Sequence, residues 1–170
     1  MGSECQLVIR ALASHHQRAN FHCGQSALDR YLHKQARQDE KRRVSRVFVA
    51  TSRDDPNAIV GYYTLSSLSI ELSELPAELA RKLPRHSIPA ALLGRLAVSL
   101  TAQGLGIGRM LLADALKRCL AVSDEIAIYA LIVGAIDDSA RAFYEQYRFE
   151  PLGSKTRRLF LPLKSLHPAL

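Results

Sequence analysis

Three glycines stand at alternate positions, 104, 106 and 108, between an apolar run and a helical pattern. The run at 91–98 is almost uninterruptedly apolar, which predicts a strand buried on both faces. From Ile107 onward, apolar side chains recur at spacings of three and four, which predicts an amphipathic helix. In a strand, glycine loop and helix of this kind, backbone N–H groups at the helix start converge on an anion, and the helix dipole favours its charge. We therefore predict a phosphate-binding loop, with a plain tight turn as the alternative.

The loop fits neither of two common nucleotide-binding motifs. A P-loop requires Lys followed by Ser or Thr directly after its glycines, and no such pair follows these glycines. A dinucleotide fingerprint requires Gly-x-Gly-x-x-Gly and an acidic residue at the end of the next strand. This loop reads Gly-x-Gly-x-Gly, and the predicted strand Ile126–Val133 is followed by no acid until Asp137. The spacing that is present, Gln-x-x-Gly-x-Gly from Gln103 to Gly108, resembles the pyrophosphate loop of the GNAT acetyltransferases.

The length fits one globular domain over residues 1–170, with 48% hydrophobic and 23% charged residues, and the order of the predicted elements makes it α/β. No apolar run is long enough for a membrane span, and no secretory leader is recognisable, so we expect a cytoplasmic protein. Cys5, Cys23 and Cys119 are scattered and odd in number, so we expect reduced thiols. The six histidines lack ligand spacing, so we expect no metal site.

The net charge of +7 is concentrated in three basic groups, while residues 54–78 carry five acidic side chains and no basic one. The groups are Lys34–Arg46, then Arg81, Lys82, Arg85 and Arg95, then Arg148, Lys155, Arg157, Arg158 and Lys164. Such clustering favours a polyanion partner such as RNA, or an acidic protein; a solvated basic surface is the alternative.

Periodicity and turn residues place the remaining elements. Strands are predicted at Gln6–Ala11, Arg46–Ala50, Ala58–Ile70, 91–98, Ile126–Val133, from Phe149, and at Leu159–Leu163. Helices are predicted from the pattern Ser26-x-x-Asp29, at Glu74–Leu83 with Pro76 in the first turn, after the glycine loop, and from Asp137 or Asp138 to Tyr147. The segment before the central strand is expected to end at Pro89. A helical crossover between 91–98 and Ile126–Val133 predicts a parallel pair.

Six sequence blocks between residues 23 and 166 together resemble the GNAT-type toxins of bacterial toxin–antitoxin pairs. They are Cys23–Leu32, Gly61–Leu65, Ile88–Val98, Gln103–Arg109, Ala142–Glu145 and Arg158–Lys164. The resemblance implies a mixed sheet with splayed parallel strands flanked by helices, and acetyl transfer from acetyl-CoA to the α-amino group of aminoacyl-tRNA, which blocks translation. It also implies a ribbon-helix-helix antitoxin, with operator DNA reached only through the antitoxin complex. A homodimer is possible, and the sequence does not decide the oligomeric state.

Amine attack on a thioester needs an oxyanion donor and a proton for the leaving thiolate. We expect backbone groups of Leu96, Ala97 and Val98 to hold the pantetheine arm and polarise the carbonyl. The resemblance adds further cofactor-binding residues, which are Gln103, Gly104, Leu105, Gly106, Ile107, Gly108, Arg109 and Phe143. It makes Tyr144 the proton donor, whereas the alternative is a core aromatic beside Phe143. No general base is evident, and an aminoacyl ester amine is less basic than lysine.

The candidates for contacts with tRNA are all basic: Lys41, Arg42, Arg43, Arg85, Arg95 and Arg148. Arg95 interrupts an apolar run, so it needs a substrate phosphate, a carboxylate or a structural ion pair. Arg148 stands where many GNAT proteins have a left-handed glycine, at a cost of roughly 1 kcal/mol, unless the helix ends differently. His86 either lines the acceptor cleft or lies on the surface.

Two other functions compete with the toxin. One is an ordinary GNAT enzyme that acetylates protein lysines or a small amine. The other is a non-catalytic acyl-CoA-binding regulator that acts through a protein or DNA partner. The basic groups and toxin-like blocks argue against the first, and Tyr144 with the intact glycine loop argues against the second.

Overall fold

Seven strands form one mixed sheet in the computed structural model, which describes residues 6–153 and 157–169. They are β1 (Leu7–Ala11), β2 (Arg46–Ser52), β3 (Gly61–Ile70), β4 (Ile88–Val98), β5 (Ala130–Gly134), β6 (Glu150–Pro151) and β7 (Arg158–Pro162). The spatial order is β1-β2-β3-β4-β5-β7-β6. β4 and β5 are parallel, in register from Ala90 opposite Ala130 to Leu93 opposite Val133. β4 then continues to Val98 beyond this register, and the predicted mixed sheet with splayed parallel strands and flanking helices is confirmed.

The longest helix follows the glycine loop, as the sequence predicts. The helices are α1 (Ser26–Arg30), α2 (Ala36–Lys41), α3 (Ala77–Ala80), α4 (Ile107–Ser123) and α5 (Asp138–Glu145). A π-helical turn, Tyr31–Gln35, joins α1 to α2. Short 3-10 turns lie at Arg18–Asn20, Leu72–Glu74, Leu100–Ala102 and Leu163–Ala169.

The chain divides into two compact units. The first comprises the described residues up to Ser66 together with Arg95–Ala115. In its core the α1–α2 segment packs on β2, β3 and β4 through buried side chains that include Phe21, Tyr31, Leu32, Val47, Tyr62 and Ala97.

The second unit comprises Ser67–Gly94 and the described residues from Leu116 onward. Its core contains the buried residues Ile70, Leu75, Ile88, Ala130, Ile132, Leu152 and Phe160. Each unit therefore buries apolar side chains of its own, and burial of this kind is the dominant stabilising contribution to folding.

Several predicted boundaries are wrong. The strand predicted at Ile126–Val133 begins only at Ala130, and Ile126 is exposed because the chain first makes a turn after α4. The helix predicted at Glu74–Leu83 is confined to α3, since Pro76 is its N-cap with extended backbone. β4 already begins at Ile88, so Pro89 lies inside it.

α1 begins at Ser26, as the sequence predicts, with Gln25 as its N-cap, and the Asp29 carboxylate accepts the backbone N–H of Cys23 at 2.8 Å. Two smaller expectations need correction. β4 is not buried on both faces, since Gly94 is exposed and Leu96 only half-buried. α5 ends before Tyr147, and β6 begins one residue after Phe149.

The structure gives the environments of two cysteines and of the buried histidine. Cys23 and Cys119 carry free thiols, and burial raises the pKa of each to about 11. Among the histidines, His16 is buried. Cys5 and Lys155 lie outside the described residues. Within the described ranges, no three metal-ligating side chains cluster, and no helix has the length and apolarity to cross a membrane.

Candidate active site

The glycine loop leaves the end of β4 and enters α4 with an open backbone. Gly104 and Gly106 have φ values of +81° and +80°, a left-handed conformation that side chains rarely adopt. A Cβ atom built on either glycine would meet nothing within 4 Å, so a ligand can approach the backbone there. The first N–H groups of α4 have no intrahelical acceptor, because helix geometry offers none. The arrangement can hold an anion such as a diphosphate.

Gln103 fastens this loop with its side chain. The Nε2 group donates to the backbone carbonyls of Cys23 and Val98, each at 3.0 Å. Leu100 N–H donates to the carbonyl of His22 at 2.9 Å in the same part of the chain. The side chain of Gln103 therefore positions the loop against β4 and the segment before α1, which the sequence motif alone does not reveal.

Gly61 sets how closely α4 approaches the strands. A Cβ at this position would lie 2.9 Å from Cδ1 of Leu111 and 3.1 Å from the carbonyl oxygen of Ala97. Ile107, at the start of α4, is also within contact distance and is buried. The missing side chain thus allows the helix to pack directly over the strand end, which fixes the position of its N-terminus.

The other predicted cofactor residues of the first unit differ in exposure. Leu96, Val98 and Gly108 are half-buried, while Ala97 is buried in the core. Leu105 and Arg109 are exposed. Their roles stay predictions.

Tyr144 lies on α5, which is capped by Asp137 as expected. The Asp137 carboxylate accepts the N–H of Ala140 at 2.8 Å. The Tyr144 side chain is 5% exposed, with its ring centroid 5.2 Å from that of Phe143 and 5.6 Å from that of Phe149. Burial raises its pKa well above the usual 10, so the hydroxyl keeps its proton at neutral pH. No hydrogen bond joins this hydroxyl to another described residue.

Arg148 does adopt the left-handed conformation, with φ of +70° directly after α5. The following N–H, of Phe149, donates to the Tyr144 carbonyl at 3.4 Å and closes the helix end. An arginine in this conformation costs about 1 kcal/mol relative to glycine. Its side chain is exposed.

Arg95 is held in a way that the sequence did not reveal. Its guanidinium carbon lies 3.5 Å from the ring centroid of Tyr31, a cation–π contact. The Tyr31 hydroxyl donates to the Asp39 carboxylate at 2.9 Å. Nothing in the sequence connects Tyr31 with Arg95.

The remaining basic candidates lie on the surface. Lys41, Arg42 and Arg43 are exposed around the end of α2, and Arg43 has φ of +59°. These residues belong to the first unit, together with Arg95 and the glycine loop. Arg85 is exposed in the second unit, as is its neighbour His86, whose Nδ1 lies 2.9 Å from the carbonyl oxygen of Ser87. Phe143, Tyr144 and Arg148 also belong to the second unit.

Comparison with known proteins agrees with this geometry. The sequence pattern of an acetyltransferase (GNAT) domain matches residues 82–163. A tRNA-acetylating toxin of Mycobacterium tuberculosis is 39% identical over 145 residues, which are 85% of each chain.

Solved structures agree as well. AtaT complexed with acetyl-methionyl-tRNAfMet is similar with a TM-score of 0.90 and 29% identity, over 96% of this chain and 99% of that one. An AtaT mutant bound to the C-terminus of the antitoxin AtaR and acetyl-CoA has a TM-score of 0.82 and 27% identity, over 97% and 98% of the two chains. An AtaT–AtaR complex bound to DNA is also similar.

The chain therefore belongs to the GNAT acetyltransferases, in the family of the tRNA-acetylating toxins.

Proposed function

We propose that this protein transfers an acetyl group from acetyl-CoA to the α-amino group of an amino acid esterified to tRNA, and so blocks translation. The observation that carries the proposal is the fastened, open glycine loop at the start of α4. The 39% identity with a tRNA-acetylating toxin supports this acceptor. Residues 1–170 act as a single acetyltransferase domain in this proposal.

Each part of the site has a stated task. Backbone N–H groups of Gly104–Arg109 bind the diphosphate of acetyl-CoA, which supplies an activated acetyl thioester. Backbone groups of Leu96 and Val98 bind the pantetheine arm and stabilise negative charge on the carbonyl oxygen. As the C–N bond forms and the C–S bond breaks, the Tyr144 hydroxyl gives its proton to the departing sulfur. The amine proton leaves to water, and the Tyr144 phenolate takes a proton back from water, which restores the hydroxyl.

The test is incubation of the protein with labelled acetyl-CoA and total charged tRNA. We expect the label on α-amino groups of amino acids that are released when the ester is hydrolysed. Label only on protein lysines or small amines would instead identify an ordinary GNAT enzyme. Binding of acetyl-CoA without any transfer would identify a non-catalytic regulator.

The exposed cluster Lys41, Arg42 and Arg43 is proposed to contact tRNA phosphates, which position the acceptor without reading its sequence. Changing all three to glutamate should raise the KM for charged tRNA and leave acetyl-CoA affinity unchanged. If the cluster docks an acidic part of the antitoxin, the same variant will resist inhibition and keep its catalysis. No change in either assay would show that the cluster is a solvated face.

We further propose that a ribbon-helix-helix antitoxin neutralises the protein and that operator DNA is bound only through the toxin–antitoxin complex. The proposal is supported by the similar AtaT structures with AtaR and with DNA. Action in the cytoplasm follows from a charged-tRNA substrate. Sedimentation of the isolated protein tests whether it forms a homodimer.

A further inference from the structure

Arg95 is a half-buried cation whose guanidinium lies against an aromatic ring. It lies on β4 two residues before the buried Ala97, so strand alternation directs its side chain to the same face. The residue is half-buried, and among the described residues it has neither an ion pair nor a hydrogen bond. A cation withdrawn from water needs a compensating anion or donor–acceptor contacts. The N–H groups at the edge of this guanidinium therefore have no hydrogen-bond acceptor among the described residues.

Tyr31 holds the guanidinium from one face. The contact of 3.5 Å to the ring centroid occupies the flat face of the group, while its N–H donors point outward in the guanidinium plane. The tyrosine itself is constrained at two points. Its hydroxyl donates to Asp39 at 2.9 Å, and its ring is nearly parallel to that of Tyr62, with an interplanar angle of 15° and centroids 6.4 Å apart.

The backbone is also irregular at this residue. Tyr31 is the first residue of the π-helical turn between α1 and α2, and its side chain is 3% exposed. π-helical turns are rare and are found frequently at functional sites. The turn, the Asp39 hydrogen bond and the parallel ring together fix the surface on which Arg95 lies.

We propose that Tyr31 is a positioning residue that orients Arg95 to bind a phosphodiester of the aminoacyl-tRNA acceptor. This inference rests on the proposed function and adds a specific phosphate contact to it. A planar guanidinium offers two parallel N–H donors to a phosphate. Because the stack on Tyr31 already restricts the orientation of the guanidinium, less side-chain entropy is lost when the phosphate binds. The diphosphate of acetyl-CoA already has the glycine loop, so the phosphate that Arg95 binds is the acceptor's.

The first test compares charged tRNA with an aminoacyl adenosine, an acceptor that carries no phosphate. Arg95→Gln should reduce the preference for charged tRNA over this acceptor by about 10-fold or more, as expected for loss of a hydrogen-bonded charge. The slope of log kcat/KM against log salt should become shallower by about 0.7–0.9, the loss of one phosphate contact. The matched control is Arg53→Gln, an exposed arginine of the same unit, which should change neither quantity.

The second test separates Tyr31 from the phosphate contact. Tyr31→Phe keeps the ring and loses the hydrogen bond to Asp39, so KM for charged tRNA should rise a few-fold while the salt slope and kcat stay unchanged. Arg95→Lys keeps the charge but not the planar stack, and it replaces Arg95→Gln if that variant does not fold. In Arg95→Lys the preference for charged tRNA should fall and the salt slope should persist.

Three outcomes would overturn the inference. One is a folded Arg95→Gln protein with unchanged preference and salt slope. Another is an Arg95→Lys protein that matches the wild type in its preference for charged tRNA. A third is weakened acetyl-CoA binding in Arg95→Gln, which would assign the guanidinium to the coenzyme's phosphates. Failure of the wild-type protein to acetylate any charged tRNA would instead refute the proposed function.

Discussion

Gly106 offers the most direct perturbation of the glycine loop. Gly106 has φ of +80°, and the space around its missing Cβ is empty. A substitution there can therefore be tested separately for its effect on folding stability and for its effect on ligand binding. In Gly106→Ala the new methyl group meets no protein atom within 4 Å, so the fold is affected only through the backbone conformation. That conformation costs an L-residue about 1–2 kcal/mol, which corresponds to a fall in Tm of roughly 2–8 °C for a chain of this size.

In the proposed site, the methyl group would keep a diphosphate from close approach to the loop backbone. Loss of one hydrogen bond to a charged group costs about 1.5–3 kcal/mol, so the Kd for acetyl-CoA should rise by about 10- to 150-fold. Calorimetry at a temperature well below the Tm of the variant measures this directly. Acetylpantetheine lacks the diphosphate, so the selectivity for acetyl-CoA over it should fall by the same factor.

Gly153→Ala is the matched control. Gly153 also has φ of +80° but lies between β6 and β7, outside the predicted cofactor-binding residues, so the substitution should lower the Tm similarly and leave the Kd unchanged. A folded Gly106→Ala protein with wild-type affinity for acetyl-CoA would refute the phosphate-loop assignment. The β-branched Gly106→Val should bind still more weakly.

Two further predictions concern single side chains. Tyr144→Phe keeps the buried ring and should leave acetyl-CoA affinity unchanged while kcat falls by about 100- to 10,000-fold; wild-type turnover would show that Tyr144 is only a core residue. His16 accepts the N–H of Ala13 at 2.9 Å, and burial with the nearby His15 holds its pKa below the usual 6.5. Its stabilising contribution is therefore complete above about pH 6.5 and is lost as the pH falls through the folded-state pKa, so the Tm of His16→Asn should vary less between pH 7 and 5 than that of the wild type.

Local patterns predicted the parts of the site that depend on local backbone chemistry. Gly104 and Gly106 are required by positive φ, and Asp137 caps α5 through its own carboxylate. Both features depend only on neighbouring residues, so they can be predicted from the sequence. The parallel pairing of β4 with β5 was also predictable, because a helix connects two apolar runs.

Features that depend on distant contacts could not be predicted in the same way. The apolar run from Ile126 is continuous, and only the partners available to Ala130 decide that pairing begins there. The π-helical turn has no sequence signature. The contact of Arg95 with Tyr31 joins β4 to the π-helical turn, far away in the chain, and nothing in the local sequence around either residue indicates it.

The pKa of the acceptor amine distinguishes an aminoacyl-tRNA from a lysine side chain. The Tyr144 ring lies against the rings of Phe143 and Phe149, and the sequence offers no evident general base. A lysine amine with a pKa near 10.4 is free in only about 1 molecule in 2,500 at pH 7, whereas an α-amino group near 7.7–8.0 is free in about 1 in 10. Esterification lowers the pKa of the α-amino group further, because the ester withdraws electrons.

The rate of transfer to charged tRNA should therefore rise with pH and level off at or below about pH 8. It should not decline at moderately alkaline pH, since burial keeps Tyr144 protonated there. A rate that climbs steadily toward pH 10 would indicate a lysine-type amine and contradict the aminoacyl acceptor.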